Sequence, residues 1–153
     1  MTQNIIDDQK IDWHTLGDFK HIKYSIFDID IENKIVDVIF KFEAHKQILL
    51  HRHKALNKTW VIQGEHHIYK ANGDIKEIRP VGSYTSSPAS DEPHRECGGD
   101  EGAVVLFSIR GEDGVLYEVL DDELNQIDTL SFQDFIDLFE ANKIKEEGNE
   151  NNQ

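Results

Sequence analysis

The stretch "LLHRHK", residues 49–54, sets His51 and His53 either side of Arg52, directly after an apolar run, in a chain that has eight histidines in all. Side chains alternate between the faces of a β-strand, so two residues at i and i+2 point the same way, roughly 7 Å apart along the strand. Two imidazoles so placed form a chelating pair wherever further donors converge on them. Neutral imidazole nitrogens bind zinc, iron, nickel and copper. On a polar surface strand the same pair would be ordinary solvated side chains, so the fold around it decides. No nucleophile elbow, phosphate-binding glycine loop or Ser/His/Asp order is present, which leaves little ground for hydrolase or kinase chemistry.

The elements that must position the pair are short. "KYSIFDIDI", "IVDVIFKF", "KQILLHRH", "TWVIQGEHHIYK", "IKEIRP", "GSYTSS", "AVVLFSIRG" and "VLYEVL" are apolar or alternating runs that predict strands, with turns at "NGD" (72–74) and "GEDG" (111–114). Many short strands without alternating helices predict an all-β fold, a sandwich or barrel-like double sheet. If "HRH" lies on an inward face, the open end of such a barrel gives a water-accessible pocket. Trp60 and Ile62 would then share one face of the next strand and make that pocket partly apolar. Near the end, "TLSFQDFIDLFEANK" changes period. Phe132, Phe135, Ile136, Leu138 and Phe139 form one helical face, Ser131 with Asp134 resembles a capping box, and a helix over 131–142 is expected to close the domain. The chain is therefore expected to be one domain, 1–142, followed by a disordered acidic tail, 143–153, that has few apolar side chains.

Composition narrows the partners. Lys plus Arg number 16 against 30 Asp plus Glu, a formal net charge of −14 in 153 residues. Such a surface repels phosphate backbones and anionic lipid head groups, so neither nucleic acid nor membrane is expected as a partner. The N-terminal "MTQNIIDDQKIDWH" has neither the basic start nor the hydrophobic segment of a signal peptide. The expected location is the cytoplasm. Cys97 is the single cysteine, which excludes an internal disulfide and a cysteine-based zinc cluster and fits a reducing compartment.

The stretch "HRHKALNKTWVIQG", 51–64, resembles the first cupin motif, a His-x-His pair, a spacer and a turn glycine. "GSYTSSPASDEPHREC", 82–97, resembles the second, with Gly82, Pro88 and then His94. The resemblance spans residues 35–120 or so, and it is to cupins of the three-histidine dioxygenase type, such as dihydroxyacetophenone and acetylacetone dioxygenases, and also to the zinc-binding cupin domain of certain anti-sigma factors. The pattern departs at His45, where a glycine is expected, at Asn57 and Lys58, where the motif carboxylate is expected, and around Ser90, where the inner glycine is missing and the motif runs one residue long. The resemblance implies a cupin-type antiparallel double-sheet barrel, a jelly roll, with the C-terminal helix added. It implies His51, His53 and His94 as ligands of one divalent ion, Fe(II) first and Zn(II) second. With iron it implies a non-haem dioxygenase that binds a small diketone or hydroxyketone through two oxygens and cleaves a carbon–carbon bond. With zinc it implies a non-catalytic ligand-binding or sensing cupin. Barrels of this kind commonly pair through edge strands, so a homodimer is expected.

Other residues stand near these motifs. Glu96 follows His94 by two, so an extended chain would allow it to be a fourth ligand or an acceptor for an imidazole N–H, although a solvated carboxylate is the simpler expectation. His66 and His67 are adjacent, so a strand sends one inward and one out. Cys97 is a soft ligand, a redox handle or, more simply, a small packed residue. Lys58 shares parity with Trp60 and Ile62 and is expected to face the pocket, its amine reaching the rim to pair with Glu65 or Glu96 or to attract an anionic substrate.

Overall fold

A computed structural model describes residues 3–151, with side chains through residue 145. Ten strands and one helix occupy them: β1 His14–Thr15, β2 Ile22–Asp30, β3 Ile35–Phe42, β4 His51–His53, β5 Leu56–Lys70, β6 Ile75–Arg79, β7 Tyr84–Ser87, β8 His94–Arg110, β9 Val115–Leu120, β10 Gln126–Ser131 and α1 Phe132–Asn151. All named strand pairs are antiparallel. One path runs β1-β2-β3-β8-β4-β9-β10, and β5 pairs with β8, β6 and β7. β8 is therefore the shared strand. Its residues 103–110 pair with β3 on one side and with β5 on the other, and its first residue, His94, lies opposite His51 of β4. This is the curled, all-β double sheet with one C-terminal helix that the strand pattern predicts.

Period-2 patterning builds the inner wall. On β3, Val36, Val38, Phe40 and Phe42 are buried against Tyr24, Val105, Phe107 and Leu116, since alternate residues of a strand share a face. The helix covers one side of this core through Phe132 and Phe135, both buried, with Ile136, Leu138 and Phe139 packed against the same cluster. Its start is the expected capping box: the Ser131 backbone N–H donates to Asp134 Oδ2 (2.8 Å), and the Asp134 N–H donates to Ser131 Oγ (3.1 Å).

Three boundaries differ from expectation. The helix runs to Asn151 instead of stopping at 142, so the expected limit between domain and tail falls inside one helix; residues 143–147 are Lys, Ile and Glu, which continue a helix without a proline or glycine to stop it. The run "KQILLHRH" is a strand only at its last three residues. Before them the chain is tied by single bonds, Ile48 N–H to Glu96 O and Leu120 N–H to Leu50 O, instead of by a ladder. β8 begins nine residues earlier than its apolar core at 103, which places His94 on a strand.

β5 is long because it changes frame part-way. Asn57, Thr59 and Val61 are buried, then the register with β8 shifts between Val61 and Gln63 and again between Gly64 and His66, after which His66 and Ile68 are buried. The inward parity passes from odd to even. Gly64 sits at this bulge with φ +69°, so the motif glycine serves a bulge within a strand and not a terminal turn. A Cβ at position 64 would overlap the carbonyl oxygen of Gly102. Gly64→Ala adds positive-φ strain to that overlap, together about 2–5 kcal/mol, and should lower the melting temperature by roughly 5–15 °C. A melting temperature within a degree of the parent's would show that the backbone relaxes freely here.

Candidate metal centre

The short strand β4 lies between β8 and β9, with His51 opposite His94 and Val119, and His53 opposite Tyr117. The i, i+2 alternation turns His51 and His53 to one side, their rings 5.2 Å apart and nearly parallel. The same alternation on β8 turns His94 and Glu96 toward them. His51 Nδ1 donates to the Leu49 carbonyl (2.8 Å), which aims Nε2 at the site. His51 Nε2 lies 3.0 Å from Glu96 Oε2, His94 Nε2 lies 3.8 Å from Glu96 Oε1, and the Nε2 atoms of His53 and His94 are 3.1 Å apart. One donor atom from each of the four residues lies within 4.8 Å of the other three, the one such group among the described residues.

The electrostatics of this group are those of a cation site. Burial pushes His94 from an ordinary 6.5 to about 3, with the charge on His51 adding to it. Burial, and then the charge on His94, hold His53 well below its ordinary value. Both imidazoles therefore keep free lone pairs at neutral pH. Burial also opposes charge on His51, but the hydrogen bond and negative charge of Glu96 outweigh it and leave His51 raised. Burial opposes ionisation of Glu96, yet the hydrogen bond from His51 and the close approach of His51 and His66 hold its carboxyl well below the usual range. Two bare nitrogens 3.1 Å apart beside an ionised, buried carboxylate attract a cation, and three imidazoles with one carboxylate suit Fe(II) or Zn(II).

A pH dependence follows for the metal-free protein. The unfolded chain protonates His53 and His94 near 6.5, whereas the folded chain resists, so their contribution is present above 6.5 and lost as pH falls below it, for His94 down to about 3. His51 has the opposite sign, with stability present below 6.5 and lost above its raised value. Two groups against one leave a net loss on acidification, about 1.4 kcal/mol per pH unit for each uncompensated proton. The melting temperature of chelator-treated protein should fall between pH 7 and pH 5. A flat profile across that interval would mean that these imidazoles are already solvated.

Several expected placements are revised. Glu96 is 3 % exposed instead of solvated, and it is the hub of the group. Its second partner is His66, fully buried, stacked on Phe42 with ring centroids 5.0 Å apart, and with Nε2 3.1 Å from Glu96 Oε1 but off the line of a full hydrogen bond. His67 is buried on the other face and pairs with Glu65 (2.6 Å). Cys97 is a packed residue whose thiol donates to the Tyr69 hydroxyl (3.8 Å). Lys58, Trp60 and Ile62 do not face the site, because the inward residues of this part of β5 are Asn57, Thr59 and Val61; Trp60 instead packs on Tyr84 of the neighbouring β7. Asn57 stands where a motif carboxylate was expected and accepts a hydrogen bond from the Tyr117 hydroxyl (2.8 Å). The carboxylate of the group comes from β8 instead. The spacing His94-x-Glu96 was the available signal for Glu96; His66 gave none, because the bulge hides its parity.

Two cavities border the group. One, about 70 Å³, is walled by apolar side chains including Phe19, Ile48, Phe107 and Leu130, and His51 and Glu96 reach into it. The other, about 210 Å³, is bordered by His53 and His94 together with Asn57, Thr59, Lys76 and Arg79. Glu96 and Phe107 line both.

No family model matches the chain, and no curated protein matches it by sequence. Solved structures do. An RmlC-like cupin protein from Ralstonia eutropha superimposes with a TM-score of 0.71 at 18% identity, over 97% of this chain and 90% of that one. An acetylacetone dioxygenase from Acinetobacter johnsonii gives 0.67 at 13% identity, over 92% of each chain. The anti-sigma ChrR complex with SigE from Rhodobacter sphaeroides gives 0.54 at 14% identity, over 68% of this chain and 52% of that chain. At these identities the likeness is one of fold: the chain has the cupin fold, shared here by a dioxygenase and an anti-sigma factor.

Proposed function

We propose that this chain is a metal-dependent cupin dioxygenase that cleaves a carbon–carbon bond of a small diketone or hydroxyketone. The observation that supports it best is the four-donor group of His51, His53, His94 and Glu96 set between two cavities; the fold likeness to an acetylacetone dioxygenase agrees with it. The three histidines would hold Fe(II), with Glu96 as a fourth ligand or as the acceptor beside them. Bound there, iron would supply the one-electron redox chemistry toward dioxygen that amino-acid side chains lack. For a 1,3-diketone, the bond between the central carbon and one carbonyl carbon breaks, and both atoms of dioxygen end in products, one in a carboxylate and one in a 1,2-dicarbonyl. No other oxidant is needed.

The chain's own residues have defined tasks in this scheme. The Leu49 carbonyl fixes the tautomer of His51, and Tyr117, packed edge-on against His53 with its hydroxyl held by Asn57, keeps the ligand side of the site in one arrangement. Glu96, ionised and buried, would hold His51 in place through its Oε2, 3.0 Å from His51 Nε2. Phe107 borders both cavities. The second reading is a zinc-containing, non-catalytic binding cupin, favoured by the completeness of the donor set, since four protein ligands are the mark of closed zinc sites.

Metal analysis of protein purified without chelator, then oxygen uptake by iron-loaded and zinc-loaded protein on a panel of β-diketones and hydroxyaryl ketones, tests the two readings. The dioxygenase reading expects uptake with iron alone, because zinc has no accessible redox change. Equal uptake by both forms, or none by either, overturns it.

A further inference from the structure

The acidic charge of the chain is unevenly placed. Residues 51–97 hold seven Lys or Arg and six Asp or Glu, whereas the rest of the sequence holds nine basic against 24 acidic residues. The near-neutral stretch comprises β4 to β7 and the first residues of β8. Its outer side is apolar. Trp60 of β5 lies opposite Tyr84 of β7, their ring centroids 5.0 Å apart. The Gly82 N–H donates to the Val61 carbonyl (2.8 Å) and the Val61 N–H to the Ser83 carbonyl (3.1 Å), which holds the turn bearing Val81 against β5. On β6, Ile78 is opposite His67 and Ile75 opposite Tyr69. Val81 is 62 % exposed, Ile75 54 %, Tyr84 49 % and Ile78 46 %. Single exposed apolar residues are ordinary on a folded surface, but several along one face mark an interaction site.

We infer that this outer face of β5, β6 and β7 docks a second copy of the chain about a twofold axis. Two bodies of net charge −14 repel one another, and the repulsion is least where their near-neutral faces meet and the acidic remainder of each points away. A twofold contact sets the same face against itself, so the aromatic pair and Val81, Ile78 and Ile75 of both copies leave water together. The face carries both signs of charge, Lys58 and Glu65, as self-pairing requires. Among the described strands, β6 and β7 pair with β5 alone, and Lys76, Arg79 and Ser87 on them border the larger cavity beside His53 and His94. A second copy seated outside would brace a wall of that cavity that is otherwise held from one side.

Sedimentation equilibrium of the full-length protein over about 1–500 µM, in about 50 and about 500 mM NaCl, tests the inference. The parent should be dimeric in the upper part of that range, and more tightly so in the higher salt, which screens the acidic remainders from each other. Tyr84→Glu and Val81→Lys, both at exposed positions, should each weaken association about 100-fold or more, because a twofold contact carries every substitution twice. Val81→Lys lowers the net negative charge, so its effect cannot come from added repulsion. Ile127→Glu, at an exposed site on β10, should leave association within about threefold of the parent's. Melting temperatures close to the parent's would place the losses in association and not in folding. A parent that stays monomeric at every concentration overturns the inference and leaves the face to a different protein. It is equally overturned by a dimer that both Tyr84→Glu and Val81→Lys leave intact, that Ile127→Glu breaks as strongly, or that higher salt dissociates.

Discussion

His94→Ala should cost the protein its divalent metal, lowering affinity by about 100-fold or more, whereas His14→Ala leaves it within twofold of the parent. Even residues that only orient ligands are worth 10–100-fold in affinity, and removing a donor exceeds that. His94 donates from the strand that also supplies Glu96, and its Nε2 lies 3.1 Å from His53 Nε2. Its loss therefore opens one side of the group and unpairs His53. His14 is a suitable control because it lies on β1, its ring tilted against Tyr24, and is not one of the four donors. Cobalt(II) titration followed by its visible spectrum would measure both variants. Equal cobalt stoichiometry and affinity in His94→Ala and the parent would remove the site.

The second large effect is on stability. Glu96 is nearly inaccessible and sits within 3.0 Å of His51 and 3.1 Å of His66. Removing one member of a buried, bonded set leaves the others buried without a partner, typically at a cost of about 3–5 kcal/mol. Glu96→Ala should therefore unfold roughly 6–20 °C below the parent in chelator. Glu96→Gln preserves volume and one acceptor oxygen, so it should recover much of that stability while still weakening metal binding through the lost charge. That split between the two variants separates a structural role from an electrostatic one. A Glu96→Ala protein melting within two degrees of the parent would show that water enters and solvates the imidazoles.

Where the pattern in the chain is local, the sequence was a good guide. The spacing of His51 and His53 survives into the structure because β4 is a true strand over those residues, and the helical face around Phe135 and its Ser131–Asp134 cap depend on neighbours within one or two turns. His94 was marked by motif resemblance and not by its surroundings. Burial of Glu96 was not legible, since a glutamate flanked by arginine and cysteine has the composition of an exposed turn, and only the closure of β4 and β5 around β8 removes it from water. Parity along β5 failed for a different reason. Counting outward from Trp60 assumed that the largest apolar residue faces in, but Trp60 packs on Tyr84 outside the barrel, so Lys58 and Ile62 went astray with it. β10 was missed because its "QIDTLS" has little apolar alternation; it is held as a partner of β9.

The frame change in β5 also bears on how such a barrel can evolve. Upstream of Gly64 the odd positions form the lining, and downstream the even ones do, so the strand is in effect two reading frames joined at a bulge. Point substitutions alter one lining residue at a time. A single-residue insertion between Gln63 and Glu65 that left the pairing with β8 in place would instead slide the downstream frame by one, turning His66 and Ile68 out to solvent and His67 and Tyr69 in, and Glu96 would face a phenol or a neighbouring ring in place of its buried imidazole. Changes of length at this one joint are thus a short path to barrels with the same strands and ligands but a different interior, a kind of divergence that a comparison of aligned residues alone would not register.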